Sequence, residues 1–338
     1  MKLAVTGGAG FLGYHICNQL ADEYDEILVL DIAPLNEDEY PDNVTYAEVD
    51  IRDQETVKEV FTDVDVAVHA AAALPLWTPD EIFSTNVDGT RSVLQAAVDN
   101  DLSRVVMVSS TAVYGVPERH PIYEDDKLIG VGPYGEAKIQ AEEVCEEFRA
   151  GGFCVPIVRP KTFIGTGRMG VFQILYDWVE SGCKIPIIGD GTNRYQLLEV
   201  TDLVESIRLM LTEPEEIAND TYNVGAVEFD TVNDDVGALC EYADTGARVM
   251  PTKSWLVKPF LTLAWHLRIS PLYKWVYDTA DKDSFVAVDK AREKLGWEPQ
   301  YSNADALIRS YQWYLDNKEQ VQDAEGVTHR VAWKQGIL

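Results

Sequence analysis

The chain is short of positive charge. Its 338 residues carry 28 Lys and Arg against 57 Asp and Glu, a formal net charge of −29. Binding to nucleic acid needs a basic face, so nucleic-acid partners are not expected. The same deficit argues against attraction to an anionic membrane surface. The acidity suits an ordinary acidic soluble protein or one from a high-salt cytoplasm. Cysteine is sparse: five residues, at 17, 145, 154, 183 and 240, form no CxxC pair. That pattern suits buried thiols in a reducing compartment. The five histidines, at 15, 69, 120, 266 and 329, show no ligand spacing, so no metal site is expected. No run of 18 or more apolar residues occurs, so no membrane span is expected. The nearest approach, WLVKPFLTLAWHLRI (255–269), contains Lys258, Pro259 and Arg268 and reads as part of a domain core. The opening MKLAVTGGAG runs straight into glycines, with no secretory h-region and cleavage site, so the cytoplasm is the expected location. No repeat or low-complexity tract is present.

What is present is alternation. Strand-like runs occupy 2–6, 26–31, 44–50, 64–70, 104–110 and 153–159. Amphipathic segments lie between them, near 10–22, 53–62, 80–100 and 133–150. Alternating strands and helices predict an α/β fold, a doubly wound parallel sheet of the Rossmann type covered on both faces. After Pro160 the rhythm changes, through FIGTGRMG, a helical pattern near 171–181, KIPIIGDGTNRYQLLEV, a helix near 202–212 and a strand-like TYNVG (221–225). The expected division is a nucleotide-binding domain over 1–165, with later segments near 200–226 returning to it. Residues 166–330 then form a smaller, partly interleaved substrate domain at the sheet's carboxyl edge, where ligands of such sheets bind.

TGGAGFLG (6–13) follows the first strand and opens a helix. Gly8, Gly10 and Gly13 fit G-x-G-x-x-G; Gly7, Gly10 and Gly13 fit the related G-x-x-G-x-x-G. Such glycines allow a tight turn and let a pyrophosphate approach the helix N-terminus. Asp31 ends the next strand, 18 residues after Gly13. A carboxylate there accepts hydrogen bonds from the adenosine ribose hydroxyls and repels a 2′-phosphate. No Arg or Lys lies in 32–36 to hold that phosphate, so the cofactor reads as NAD rather than NADP. Asp50, in VDIRD, is placed to reach the adenine amino group or, equally, to cap the 53–62 helix.

PYGEAK (133–138) sets Tyr134 and Lys138 four residues apart at a helix start, on one face. A cation beside a phenol favours the phenolate. Read alone, the pair fits a solvated surface as well as a proton-transfer site.

Together these motifs resemble the extended short-chain dehydrogenase/reductases, in the NAD-dependent epimerase/dehydratase group. The resemblance covers nearly the whole chain. It is carried by TGGAGFLG, Asp31, VDIRD, HAAA (69–72), STNVDGT (84–90), SSTAVYG (109–115), PYGEAK, RPKTFIGTG (159–167), GDGTNRYQLLEVTDLV (189–204) and DKAREKLGWEP (289–299). It implies a catalytic set of Ser110, Tyr134 and Lys138, with Thr111 beside Ser110. In that set Tyr134 moves the proton of a substrate hydroxyl. Lys138 keeps charge near the phenol and reaches the nicotinamide ribose, and Ser110 orients the substrate oxygen. It also extends the NAD-binding set to Phe11, Leu12, Ile32 and Ile51, and to Ala70, Ala71 and Ala72 against the adenine ribose. Asn86, Ser109, Pro160 and Thr162 join that set nearer the nicotinamide. Read as a lone residue, Asn86 is a polar residue on an exposed helix surface.

The implied substrate is a nucleotide sugar, with Ser110, Thr111, Thr162, Arg168 and Arg194 as its contacts. Residues 159–194 hold five cations (Arg159, Lys161, Arg168, Lys184, Arg194) against Asp177, Glu180 and Asp190, a local excess that suits a diphosphate. Two departures from the galactose-epimerase pattern stand out. Pro160-Lys161-Thr162 replaces a Tyr-Phe-Asn run, and 277–289 has Lys282 where a second phosphate-binding Arg is usual. The acid/base pair of the dehydratases is replaced by Thr111-Ala112. The expected activity is therefore epimerisation of a nucleotide sugar, and the expected assembly is a homodimer. The alternative is an NAD-dependent dehydrogenase of a hydroxylated lipid or small alcohol, with the aromatic 255–277 segment lining the pocket. A non-catalytic NAD-binding protein is the third reading, opposed by the intact Ser110, Tyr134 and Lys138.

Overall fold

A computed structural model describes residues 1–75, 77–168, 170–266 and 279–322. In chain order the elements are β1 (Lys2–Thr6), α1 (Phe11–Leu20), β2 (Glu26–Asp31), β3 (Val44–Glu48), α2 (Gln54–Val60), β4 (Val66–His69), α3 (Pro79–Phe83), α4 (Gly89–Asp99), β5 (Arg104–Val108), α5 (Gly132–Ala150) and β6 (Ile157–Pro160). Then follow β7 (Thr162–Ile164), α6 (Val171–Glu180), β8 (Lys184–Ile188), β9 (Leu197–Glu199), α7 (Val200–Thr212), α8 (Glu215–Ala218), β10 (Thr221–Val224), α9 (Val232–Ala243), β11 (Arg248–Thr252) and α10 (Ser254–His266). The last two helices are α11 (Asp289–Leu295) and α12 (Asn303–Gln322).

The chain divides into two compact units. The first comprises Met1–Lys161, Val200–Val224 and Val286–Glu298. The second is built from the described residues within 162–199, 225–285 and 299–322. The division falls after Lys161, where the sequence suggested residue 165, and 286–298 joins the first unit although the sequence suggested the second. Trp297 explains that return: it is fully buried in the first unit, and its indole N–H donates to the Asp202 carbonyl at 2.9 Å.

The first unit holds a seven-stranded parallel sheet in the order β10-β6-β5-β4-β1-β2-β3. Leu3 pairs with Ile27 on one side and Val66 on the other, and the middle residues of these central strands are apolar and buried. The order in which successive strands are added reverses between β1 and β4, although all run parallel. The loops after these strands therefore open a crevice at the carboxyl edge. Several boundaries differ from the sequence reading. The expected 153–159 strand begins only at Ile157, because Pro156 has no N–H; Cys154 and Pro156 use their carbonyls, accepting from Val105 and Met107. The expected 80–100 helix is interrupted by a wide π-turn over Ser84–Asp88. Its start is sharp, since Thr78 and Glu81 form a capping box and Pro79 sits in the first turn. The expected helix at 53–62 is capped by Asp53, whose carboxylate accepts from Thr56 N, and not by Asp50.

The second unit packs around Ile164, Tyr176, Leu197, Leu239, Leu307 and Tyr314. It carries two short parallel pairs, β11 with β8 and β7 with β9. Residues 255–262 do not form the core that the sequence suggested, because Trp255, Leu256 and Phe260 of α10 are exposed. Residues 267–269 of that stretch lie outside the described residues. Of the five thiols expected to be buried, Cys183 is exposed.

Candidate active site

The glycine loop links β1 to α1. Gly7 has φ +72°, and a Cβ there would lie 2.7 Å from Ala71 N, so the loop packs backbone to backbone against the segment after β4. A Cβ on Gly13 would stand 2.4 Å from the Gly7 carbonyl oxygen. Gly10 begins α1 without a side-chain cap, so the first-turn N–H groups point to a place an anion can occupy. Phe11, Leu12 and Gly13 are buried in this turn. Asp31 Oδ2 accepts from Ala9 N at 3.0 Å and Oδ1 from Ala33 N at 3.0 Å. Burial pushes the Asp31 carboxyl above its ordinary value, and these backbone N–H groups oppose that. Each oxygen keeps a second lone pair for a ribose hydroxyl. Tyr40, which the sequence reading missed, donates from its hydroxyl to the Gly8 carbonyl at 3.0 Å. Its signal would have been a tyrosine shortly after an acidic strand end, which is too common to read.

Asp50 is bound to its neighbour Arg52, whose Nε lies 2.9 Å from Oδ1. This pair holds the Asp50 carboxyl below its ordinary value. Ile51 is buried under Gly89, where a Cβ would come within 2.6 Å of Ile51 Cδ1. Ile32 is exposed beside Asp31.

The crevice wall after β4 hangs on a directional chain of hydrogen bonds. Ala71 N–H donates to Thr6 Oγ1 (3.2 Å), and Thr6 Oγ1 bonds His69 Nδ1 (2.7 Å). On the other side, Thr90 Oγ1 donates to the Asn86 carbonyl (2.7 Å) and bonds His69 Nε2 (3.0 Å). The Thr90 hydrogen is committed to that carbonyl, so His69 donates from Nε2 and accepts at Nδ1. Burial lowers the His69 pKa to about 3, with Lys138 contributing, so the ring is a neutral strut. Asn86 is buried, not surface-exposed as its lone reading suggests. Its amide takes the Ala73 N–H at 2.8 Å and gives a hydrogen to the Ala73 carbonyl at 3.1 Å, fixing the Ala70–Ala73 segment.

Ser109 and Ser110 follow β5. Ser110 Oγ accepts from Ala112 N at 3.1 Å, which leaves its O–H to donate. Thr111 donates to the Pro160 carbonyl at 3.3 Å, so its hydrogen is committed, unlike that of Ser110. The first turn of α5 crosses directly over this turn: a Cβ on Gly135 would lie 2.7 Å from the Ala112 carbonyl oxygen. Glycine in PYGEAK is therefore what allows the helix carrying Tyr134 and Lys138 to approach Ser110. Tyr134 is half-buried against the cluster of Ala73, Ile82 and Ala137, and thus is no solvated surface residue. Lys138 is 2 % exposed and donates from Nζ to the Val108 carbonyl at 3.0 Å. Burial lowers its pKa to about 8, against the opposing influence of Cys145 and Glu142.

One helical turn further along α5, Glu142 is buried against Arg159, with Arg159 Nε 2.9 Å from Oε1. Ser109 Oγ donates to the same oxygen. Arg159 Nη1 continues to Tyr114 Oη (2.7 Å), which donates to Asn223 Oδ1 (2.7 Å). Burial lowers the Arg159 pKa, but Glu142 outweighs it and holds the guanidinium above its ordinary value. Arg159 was counted among cations for an anionic ligand; it is instead neutralised inside the first unit. Lys161 is also buried, and desolvation lowers its pKa to about 7.

In the second unit, Thr162 Oγ1 and Tyr195 Oη lie 2.8 Å apart. Tyr195 was another residue the sequence reading missed. Arg168 lies over the Phe163 ring at 5.4 Å. Arg194 is exposed and covers Phe229 at 4.4 Å and Phe285 at 4.9 Å, with its backbone N–H on Asp283 Oδ1. Lys184 is exposed.

Known proteins share this family and fold. The sequence matches the NAD dependent epimerase/dehydratase family over residues 3–225. It is 32% identical to an uncharacterized protein, y4nG, of Sinorhizobium fredii, over 99% of this chain and 84% of that one. It is 27% identical to a UDP-glucose 4-epimerase of Lactobacillus helveticus, over 96% of this chain and 100% of that one. The dTDP-glucose 4,6-dehydratase DesIV of Streptomyces venezuelae, solved with NAD and TYD bound, is 26% identical. Its fold covers 95% of this chain and 98% of that chain with a TM-score of 0.76.

Proposed function

Since the chain belongs to the NAD dependent epimerase/dehydratase family, we propose that it interconverts two epimers of a nucleoside-diphosphate sugar through a transient keto intermediate. Its cofactor is NAD. The residues present fit that group: a Cβ on Gly7 or Gly13 would clash with the backbone of the cradle, at 2.7 and 2.4 Å, and Asp31 stands beside it. In this reading the α1 N-terminus at Phe11 and Leu12 takes the pyrophosphate, and Asp31 takes the adenosine ribose. Ile32, Asp50 and Ile51 border the adenine, and Ala70, Ala71 and Ala72 border its ribose. Ser109, Pro160 and Thr162 flank the nicotinamide, with Asn86 fixing the wall. The chemistry that bound NAD supplies is hydride acceptance from, and return to, one sugar carbon.

The observation that carries the reading is the set built on β5 and α5. Tyr134 takes the proton of the substrate hydroxyl and gives it back. Lys138, one turn away and held by Val108, keeps positive charge near the phenol. Ser110 donates to the substrate oxygen where negative charge develops. Arg168 and Arg194 are proposed to meet the diphosphate. The homodimer and the cytoplasmic location belong to the same proposal; among the described residues, no helix is long and apolar enough to cross a membrane.

A second reading has its own support. With Arg159 neutralised by Glu142, fewer cations remain for a diphosphate, which favours a dehydrogenase of a hydroxylated lipid or small alcohol. Incubation of nucleotide sugars with catalytic NAD, followed by chromatographic separation of epimers and an absorbance trace at the NADH band, decides between them. The expected result is epimer formation without net NADH. Steady NADH release from an alcohol, with no epimer from any nucleotide sugar, replaces the first reading by the second.

A further inference from the structure

The acidity of this chain reverses locally. Residues 245–277 contain no Asp or Glu, but they hold Arg248, Lys253, Lys258, Arg268 and Lys274, and three of the chain's eight tryptophans. The described part of this stretch comprises β11 and α10 of the second unit. On α10, Trp255 is 70%, Leu256 54% and Phe260 56% exposed. Pro259 is exposed as well. At 100° per residue these four positions fall within one 140° arc, so the helix turns an apolar face to solvent. The adjoining strands add charge. Lys184 of β8 stands opposite Arg248 of β11, and Pro186 opposite Met250; all four are exposed. Like charges directly opposite on a sheet repel. Among the described residues, Lys184, Arg248 and Lys253 have no ion-pair partner, although Lys258 pairs with Asp281 at 2.6 Å. In a chain with 57 carboxylates, this unrelieved positive charge beside exposed Trp, Leu and Phe needs a partner that is both apolar and anionic.

We propose that α10 and the β8–β11 pair form a peripheral docking face for an anionic lipid surface. Trp255, Leu256 and Phe260 enter the headgroup–acyl boundary, and Lys184, Arg248 and Lys253 meet the lipid phosphates. Apolar residues on one face with flanking cations suit a helix lying in the interface. Among the described residues, α10 is 13 residues long with Pro259 inside, too short to span a bilayer. The net charge of −29 does not forbid the contact. Screening over roughly 8 Å at physiological salt hides distant carboxylates, while cations at the surface keep their attraction. A two-fold contact of this face with a second copy would instead bring its own cations together.

The test is co-sedimentation of the full chain with phosphatidylcholine vesicles and with vesicles in which phosphatidylglycerol replaces part of the phosphatidylcholine, at low and high sodium chloride. Binding is expected to the anionic vesicles, to weaken with salt, and to fall by about tenfold or more in Trp255→Ser/Phe260→Ser. That variant should keep its thermal midpoint and NAD affinity. Lys184→Gln/Arg248→Gln should lower the preference for anionic over neutral vesicles. No sedimentation of the wild-type protein, or unchanged binding of the Trp255→Ser/Phe260→Ser variant, overturns the proposal. So does a wild-type dimer that this variant converts to monomer by light scattering without vesicles, since the face would then join two copies.

Discussion

Replacing Tyr134 by Phe removes one oxygen and keeps the ring that packs on the Ala73, Ile82 and Ala137 cluster. If that oxygen moves the substrate proton, Tyr134→Phe loses about 10²–10⁴ in turnover with NAD affinity nearly unchanged. Single-turnover kinetics beside calorimetric titration separate the two effects, and wild-type turnover would return PYGEAK to a packing role. Asp31 makes a second claim at the same scale. Its oxygens are held by Ala9 and Ala33, so they cannot swing away from a 2′-phosphate. NAD should therefore bind at least about tenfold tighter than NADP, roughly 1.4 kcal/mol; equal affinities would move Asp31 away from the ribose. Lys161 supports a pH prediction. Its folded pKa is lowered to about 7, whereas an unfolded lysine titrates near 10.4. Between those values the unfolded chain binds the extra proton, so stability rises with pH across this window. Below about 7 the cost of the buried charge is fully present. Lys161→Met should thus gain most over wild type near pH 6, with the gap in melting temperature closing towards pH 10. A gap that stays constant with pH would mean that Lys161 does not titrate in this window. None of this burial was visible in the motif, where Lys161 counted simply as a cation.

Helix α5 brings Tyr134, Lys138 and Glu142 onto one face at successive four-residue steps. The first two were legible, because their spacing has a chemical reading. Glu142 was not, because a glutamate on a helix normally lies in water; its meaning depends on Arg159 of β6, 17 residues later. Removing one partner of such a buried pair exposes the other's desolvation cost, while the exposed Asp50–Arg52 pair matters far less. Gly135 was equally silent, since a helical glycine carries no sequence mark of what lies across from it. With a Cβ 2.7 Å from the Ala112 carbonyl, Gly135→Ala must push α5 away from the Ser110 turn. A shift of about 1 Å costs on the order of 10² in rate where reacting groups must align. Turnover of Gly135→Ala should therefore fall much further than NAD affinity. Gly237→Ala is the control: a Cβ there, inside α9, meets nothing within 4 Å. It should stabilise the protein by about 0.5–1 kcal/mol in urea titration. Matching effects of the two variants would remove the steric argument.

At the scale of the molecule, the parallel sheet was readable because its central strands are short, mainly apolar runs that alternate with amphipathic helices. The second unit was not, because its strands are three to five residues long and pair across wide gaps in sequence, as in β8 with β11. Composition nevertheless carries a prediction for the whole chain. The 57 acidic residues exceed the 28 basic ones by 29, so most surface carboxylates lack a partner. Folding brings these like charges together, and self-repulsion of that kind opposes the compact state. The ion pairs along the surface act the other way, but exposed pairs such as Arg52–Asp50 and Lys58–Asp99 are each worth about 1 kcal/mol or less. Salt weakens both, through a screening length of about 30 Å at 0.01 M that shrinks to about 3 Å at 1 M. The repulsion spans longer distances and involves more charges, so it is screened first and the net effect is stabilising. The melting temperature should therefore rise steeply as sodium chloride increases from low concentration, then level off once the screening length falls below the spacing of surface carboxylates. Measuring the same series in sodium chloride and potassium chloride separates screening, which is common to both, from ion-specific binding. A melting temperature that falls with salt would show that the ion pairs, and not the excess of carboxylates, dominate the electrostatics of folding.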